Sequence, residues 1–141
     1  MHKLATLITC AMLFGANAAA ASPVRHEKVV LTQHAPVQQL SGKIKGHATV
    51  EYSLSVPAGA VLDLRLKGGN RSNYFNVSAA GADQALFVGA RDGDRFHATA
   101  TEASVYKVQV YLMRNAARRN QAASYVLEAG IAMAPGAVGK P

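Results

Sequence analysis

Past its first two dozen residues the sequence contains no cysteine, the single one being Cys10. That absence excludes thiol catalysis, Cys-based zinc sites and redox motifs, and it leaves an exported domain to stand on its hydrophobic core without disulfides. Tryptophan is missing too, and five Tyr and four Phe are all the aromatics there are. They offer no stacking platform of the kind that single-strand nucleic-acid binders use, so nucleic acid is not expected as a partner. No stretch reaches the roughly 18 consecutive apolar residues that a membrane helix needs. Acidic residues are scarce, at 8 Asp plus Glu against 15 Lys plus Arg. The excess of basic charge favours an acidic partner or surface without identifying one.

The beginning of the chain carries its own signal. Met1-His2-Lys3 is a short positive start, Leu4 to Phe14 is an apolar run too short to cross a bilayer, and Ala19-Ala20-Ala21 offers an A-x-A cleavage site. Residues 1–21 are therefore expected to be a cleaved export signal. A lipoprotein cut at Cys10 fits poorly, because Thr9 would precede the cysteine and almost no apolar core would remain to the signal. Residues 22–141 are then a single domain of 120 residues, long enough for a real core, with an ordered part at about 28–132 and frayed Ala, Pro and Gly-rich ends.

Within that span the dominant hydrophobic period is two, the pattern of strands with one buried face. Val50, Tyr52, Leu54 and Val56 alternate with Thr49, Glu51, Ser53 and Ser55. Leu62, Leu64 and Leu66 alternate with Asp63, Arg65 and Lys67; Tyr106, Val108, Val110 and Leu112 alternate with Lys107, Gln109, Tyr111 and Met113; Tyr125, Leu127, Ala129 and Ile131 follow. Turn-forming clusters at Pro57-Ala58-Gly59, Gly68-Gly69-Asn70, Ala80-Gly81-Ala82-Asp83 and Asp92-Gly93-Asp94 separate the runs. Strands are expected near 28–33, 37–45, 48–56, 60–67, 73–78, 84–88, 94–100, 104–113 and 122–132. The fold class is all-β, an antiparallel β-sandwich of about eight or nine strands.

One segment breaks the pattern. Arg114-Asn115-Ala116-Ala117-Arg118-Arg119-Asn120-Gln121 joins the last two strands with more residues than a tight hairpin uses. It predicts a protruding Arg-rich loop, whose Ala and Arg content would allow one helical turn that puts Arg114 and Arg118 on the same face. Guanidinium groups present planar donors that match carboxylates, so the segment suits an acidic cleft. On charge alone it is equally a solvated basic connection. Tyr52 falls on the apolar side of its strand, as a core tyrosine does, whereas Tyr111 points the other way.

Catalytic patterns are lacking. His26, His34, His47 and His97 have no metal-ligand spacing, Ser41-Gly42 and Ser104 sit in no nucleophile elbow, and Asp92-Gly93-Asp94 lacks the further oxygen ligands of a calcium loop. The eight acids are scattered rather than paired as in glycoside hydrolysis. The chain is not expected to be an enzyme, and no cofactor or metal is implied.

Ser41-Gly42-Lys43-Ile44-Lys45-Gly46, then Tyr52, then Ala58-Gly59, and later Tyr106-Lys107-Val108-Gln109-Val110 with Arg114-Asn115-Ala116-Ala117-Arg118-Arg119-Asn120 resemble the bacterial periplasmic inhibitors of g-type (goose-type) lysozyme. The resemblance runs over about residues 40–131 and is sharpest in the R-N-x-A-R-x-N segment behind its strand. It implies a periplasmic β-sandwich whose loop plugs the acidic cleft of a g-type lysozyme, competitively and without a covalent bond. It also implies roles for Arg114 and Arg118 as ionic anchors, for Tyr52 in orienting or supporting them, and for Asn115, Arg119 and Asn120 in shaping the loop. Tyr106 matches a tyrosine of the family as well. Where the family often has Ser-Gly before the strand this chain has Ala103-Ser104, which brings in Ser104 as a further candidate contact. Two other functions remain open: a carbohydrate or peptidoglycan-binding module using Tyr111 and the basic face, and an accessory envelope module with no dedicated ligand.

Overall fold

The computed structural model describes residues 23–32 and 37–133. The expected export signal at 1–21 with Cys10, as well as His34 and residues 134–141, lie outside the described residues. The strands are β1 (Val24–Val30), β2 (Val37–Lys45), β3 (Thr49–Val56), β4 (Ala60–Gly68), β5 (Asn73–Ala79), β6 (Ala85–Val88), β7 (Arg95–Thr99), β8 (Ser104–Leu112) and β9 (Ala122–Met133). Two short helices interrupt them, α1 (Gly89–Asp92) before β7 and α2 (Arg114–Arg118) before β9. Among the described residues no helix is long and apolar enough to cross a membrane.

The strands form a five-stranded sheet in the order β1-β3-β8-β5-β6 and a four-stranded sheet in the order β2-β9-β4-β7. The inward residues are those that the period of two selects: Val50, Tyr52, Leu54 and Val56 from β3, Leu62, Leu64 and Leu66 from β4, Val108 and Val110 from β8, and Leu127, Ala129 and Ile131 from β9 are all buried in one cluster. Phe75, Phe87, Phe96 and Tyr106 form a chain of aromatic contacts at one side of it, with centroids 4.9, 5.6 and 6.4 Å apart.

Two details depart from the expected pattern. The first strand lies at Val24–Val30 rather than 28–33, and it pairs with β3 in parallel, His26 opposite Glu51 and Val30 opposite Ser55. The physical reason is topological. From β1 the chain crosses to the other sheet to make β2 before returning as β3, and a crossover connection brings a strand back in the same direction, whereas a hairpin reverses it. The remaining pairings are antiparallel. The Asp92-Gly93-Asp94 segment is also no hairpin: it ends α1 and carries the chain from β6 in one sheet to β7 in the other, with Asp92 Oδ2 accepting the Val88 N–H at 2.9 Å while Arg91 holds the carboxylate from outside.

The sheets meet across a pair of tyrosines. Tyr52, from the five-stranded sheet, is fully buried, and its hydroxyl lies 2.8 Å from that of Tyr125 in the four-stranded sheet. A buried hydroxyl without a partner is costly, so each ring satisfies the other. Burial pushes the Tyr125 hydroxyl above the usual phenol range, and the hydrogen bond with Tyr52 adds to the shift. Room for the Tyr125 ring comes from Gly42, its register partner on β2, where an added Cβ would run into the Tyr125 hydroxyl. Gly68 is its partner on β4. Tyr52→Phe and Tyr125→Phe are each expected to lower stability by about 1 to 2 kcal/mol, since each leaves the other hydroxyl orphaned. In urea unfolding, the double variant should cost less than the sum of the singles by about 1 kcal/mol; strict additivity would show that the hydroxyls do not depend on each other.

Candidate functional site

Four connections gather at one end of the sandwich: the β2–β3 turn at 46–48, the β4–β5 loop at 69–72, the α1 region at 89–94 and the α2 region at 113–121. α2 is the central piece. In place of a free loop, the Arg segment is a helical turn seated on the core, because Ala116 and Ala117 are small enough to pack down and are 0 % and 4 % exposed. The same turn leaves Arg114, Asn115, Arg118 and Arg119 facing outward. Arg114 and Arg118, four apart, share one face as the sequence spacing requires.

A helix of five residues cannot hold itself by its own hydrogen bonds. α2 is held by its neighbours. At its start the Met113 N–H donates to Ser72 O at 2.8 Å, and Asn115 Oδ1 accepts the Ala116 N–H at 2.7 Å. Beyond its end the Gly46 N–H donates to Gln121 O at 2.9 Å, and Asn70 Nδ2 reaches Ala122 O at 3.1 Å. Asn70 is itself fixed by an Asx turn, its Oδ1 accepting the Ser72 N–H at 2.9 Å. The β4–β5 loop and the β2–β3 turn thus grip α2 from either side, and Arg71, exposed in that loop, adds a further cation to the same end.

The charges are sorted across the molecule. Asp63 pairs with Arg95 at 2.6 Å, Glu128 with Lys67 at 2.7 Å, Asp92 with Arg91 at 2.8 Å and Glu27 with Arg25 at 3.0 Å. Glu51 accepts the Gln109 amide at 3.0 Å and lies near Lys107 and His26. Three of these carboxyls, Glu51, Asp63 and Asp92, are held low: the Gln109 hydrogen bond lowers Glu51 and the Arg95 hydrogen bond lowers Asp63, each against a smaller opposing effect of burial. The Arg91 hydrogen bond brings Asp92 to about 2. Among the described residues no carboxylate pairs with Arg71, Arg114, Arg118 or Arg119, so these four guanidinium groups are without an ionic partner.

A groove of about 460 Å³ opens beside Arg114, between the β2–β3 turn (Gly46, His47, Ala48) and the outer face of the five-stranded sheet (Asn76, Gln109, Tyr111). Tyr111 donates its hydroxyl to Asn76 Oδ1 at 3.0 Å, and its ring stands 6.4 Å from that of Tyr74.

Not every residue singled out in the sequence comes to this end. Arg114, Arg118, Arg119 and Asn115 do. Tyr52 lies inside the sandwich with no exposed surface, so it presents nothing to a partner directly; Tyr106 also points inward. Ser104 begins β8 whereas α2 follows the end of β8, roughly 27 Å away at the usual rise per residue. Its hydroxyl donates to Glu102 O at 2.8 Å. Ser104 therefore stands apart from the arginines, because an odd number of strand crossings separates the two loops. The residues that sequence inspection missed are Gly46, Asn70 and Ser72. Their signal was present as turn chemistry, but only the fold shows which turns meet α2.

Comparison of the sequence with protein-family models and with curated proteins gives no match. Solved structures do match. The periplasmic lysozyme inhibitor of g-type lysozyme from Aeromonas hydrophila superposes with a TM-score of 0.69 at 28 % identity, over 79 % of this chain and 100 % of that one. The corresponding inhibitor from Salmonella Typhimurium gives 0.57 at 20 % identity, over 77 % and 98 %. A pre-peptidase C-terminal domain of a Bacillus anthracis collagenase gives 0.55 at 16 % identity, over 80 % and 100 %. The last two, at such low identity, establish a shared fold. The Aeromonas structure supports the resemblance read from residues 40–131, and it is an inhibitor rather than an enzyme.

The outer face beside the groove has a testable electrostatic signature. The Glu51 carboxyl is lower in the folded chain than its ordinary value near 4.5, so its contribution to stability is present above that value and is lost as pH falls through the lower folded one. Glu51→Gln is expected to melt below wild type at pH 7 and to converge with it as the pH drops under about 4. A gap that persists unchanged in acid would assign the loss to packing instead of charge.

Proposed function

We propose that the chain is a periplasmic inhibitor of g-type lysozyme that blocks the muramidase cleft with the arginines of α2. The observation that carries this is the set of exposed, unneutralised guanidinium groups on a helical turn anchored at both ends. A muramidase cleft must hold a catalytic carboxylic acid, and a guanidinium placed beside it forms a charge-assisted pair while excluding the sugar. A mobile arginine would give up much of that gain in ordering entropy; one on a seated turn gives up less. The likeness to the Aeromonas inhibitor supports the same reading.

In this mechanism Arg114 and Arg118 are the ionic anchors, while Asn115 and Arg119 complete the exposed rim of α2. Tyr52 acts from within: by holding Tyr125 it steadies the first residues of β9, which begins three residues beyond α2. A footprint centred on α2 does not reach Ser104. Inhibition is competitive and reversible, with no bond made or broken. Export through the segment 1–21 places the inhibitor where lysozyme meets the cell wall.

A second reading, a glycan-binding module, is favoured by the Tyr74–Tyr111 pair beside the amides of Asn76 and Gln109 on the outer sheet face. Retention on peptidoglycan with no lysozyme present separates it from the first.

The deciding experiment is the rate of cell-wall lysis by a g-type lysozyme, titrated with residues 22–141. Stoichiometric inhibition is expected. Arg114→Ala and Arg118→Ala should each weaken binding by about 2 to 5 kcal/mol if the guanidinium is buried against an acid in the complex. Association should also slow as ionic strength rises. A loss under about 0.5 kcal/mol in both single variants would remove α2 from the mechanism, and no inhibition by folded wild type would remove lysozyme as the partner.

A further inference from the structure

We propose that Gly46 and Asn120 form a latch that sets the attitude of α2, and with it the direction of Arg114 and Arg118; the functional half of this rests on the reading of α2 as the inhibitory element. Asn120 has φ 55° and is the one non-glycine residue with positive φ among the described residues. Gly46, facing it from the β2–β3 turn, has φ 61°. Two left-handed residues distant in sequence are thus packed against each other where α2 ends.

The contact is close. A Cβ added to Gly46 would lie 2.8 Å from Asn120 Oδ1 and 3.8 Å from Ala117 O. The Gly46 N–H donates to Gln121 O at 2.9 Å, so the bare glycine is both a donor to the chain leaving α2 and a floor for the Asn120 carboxamide. On the helix side, the Asn120 N–H donates to Ala117 O at 2.9 Å and the Gln121 N–H to Ala116 O at 3.1 Å. This is the helix-ending geometry in which a left-handed residue turns the chain and satisfies the last carbonyls. Asparagine tolerates that conformation better than most residues, but it remains a strained choice that persists where the surroundings hold it. Here the surroundings are the β2–β3 turn. Neither residue needs to touch a partner; both are positioning residues.

The test compares Gly46→Ala, Asn120→Ala and the double variant Gly46→Ala/Asn120→Gly by amide hydrogen exchange of the domain alone and by titration of g-type lysozyme. Gly46→Ala displaces the end of a side chain, so the sandwich is expected to keep its protection in β3 and β8. Exchange at Ala117, Asn120 and Gln121 should quicken on the order of tenfold in both single variants, since each places alanine in the left-handed region. Inhibition should weaken by a similar factor. The double variant, in which glycine at 120 removes the obstructing carboxamide and accepts the positive φ, should recover part of both. Unchanged exchange at the three amides would overturn the latch, as would protection lost throughout β3 and β8 with no recovery in the double variant. Faster exchange with wild-type inhibition would overturn its positioning role. If wild-type protein does not inhibit at all, the lysozyme reading fails by itself, and the exchange data still decide whether the latch holds α2.

Discussion

The hydroxyl contact between Tyr52 and Tyr125 ties together most of what the chain does with its interior. A sandwich core is normally apolar, and two hydroxyls there are tolerable only because each is the other's partner. The arrangement fixes more than two side chains. The Tyr125 ring needs the bare backbone of Gly42 beside it, so β2 and β9 are held in one register by the space that a single ring requires, while Gly68 on β4 closes up against the backbone of Ser124. Because Tyr52 stands in the opposite sheet, the same contact sets one sheet against the other. Register in a β-sandwich is otherwise set by which face is apolar and by the geometry of the turns.

From that interior the order passes outward to α2. β9 begins only a few residues after the helix, and Ala116 and Ala117 join the same core. The consequence is a division of labour by charge. Four of the eight carboxylates, Glu27, Glu51, Asp63 and Glu128, are paired on the strands of the two sheets, whereas the guanidinium groups of α2 have no carboxylate partner among the described residues. Net basic charge is a weak statement about partners; an unneutralised cluster on an anchored turn at one end of a rigid scaffold is a stronger one, since loops placed this way are where sandwich folds carry binding function. That the same architecture also occurs in a collagenase domain shows why the fold by itself assigns no function.

The alternation of β3, β4, β8 and β9 was legible because each has one buried and one wet face, so the period of two appears in the residues themselves. β1 was less so. Its side chains are mostly exposed, its span falls several residues from the expected one, and nothing local to it encodes that its neighbour runs parallel. In the site, the Arg segment announced itself by length and composition. Tyr52 was equally visible as a core residue, but the identity of its partner, far along the chain, was not. Ser104 entered as a candidate contact by motif similarity alone, and strand direction carries it to the end opposite the arginines. Gly46 illustrates the general limit: its glycine was plain in the sequence, whereas the reason for it is a side chain that arrives from a loop more than half the domain away.

β2, near the start of the described chain, has β9 as its partner along its whole length, from Val37 opposite Gly130 to Lys45 opposite Ala122. The four-stranded sheet therefore cannot close until the last strand exists. Such non-local pairing makes assembly slow compared with hairpin-by-hairpin growth. β9 lies between β2 and β4, so a chain that stops short of it leaves both without their shared neighbour, and completion of that sheet waits on the strand that is made last among those described.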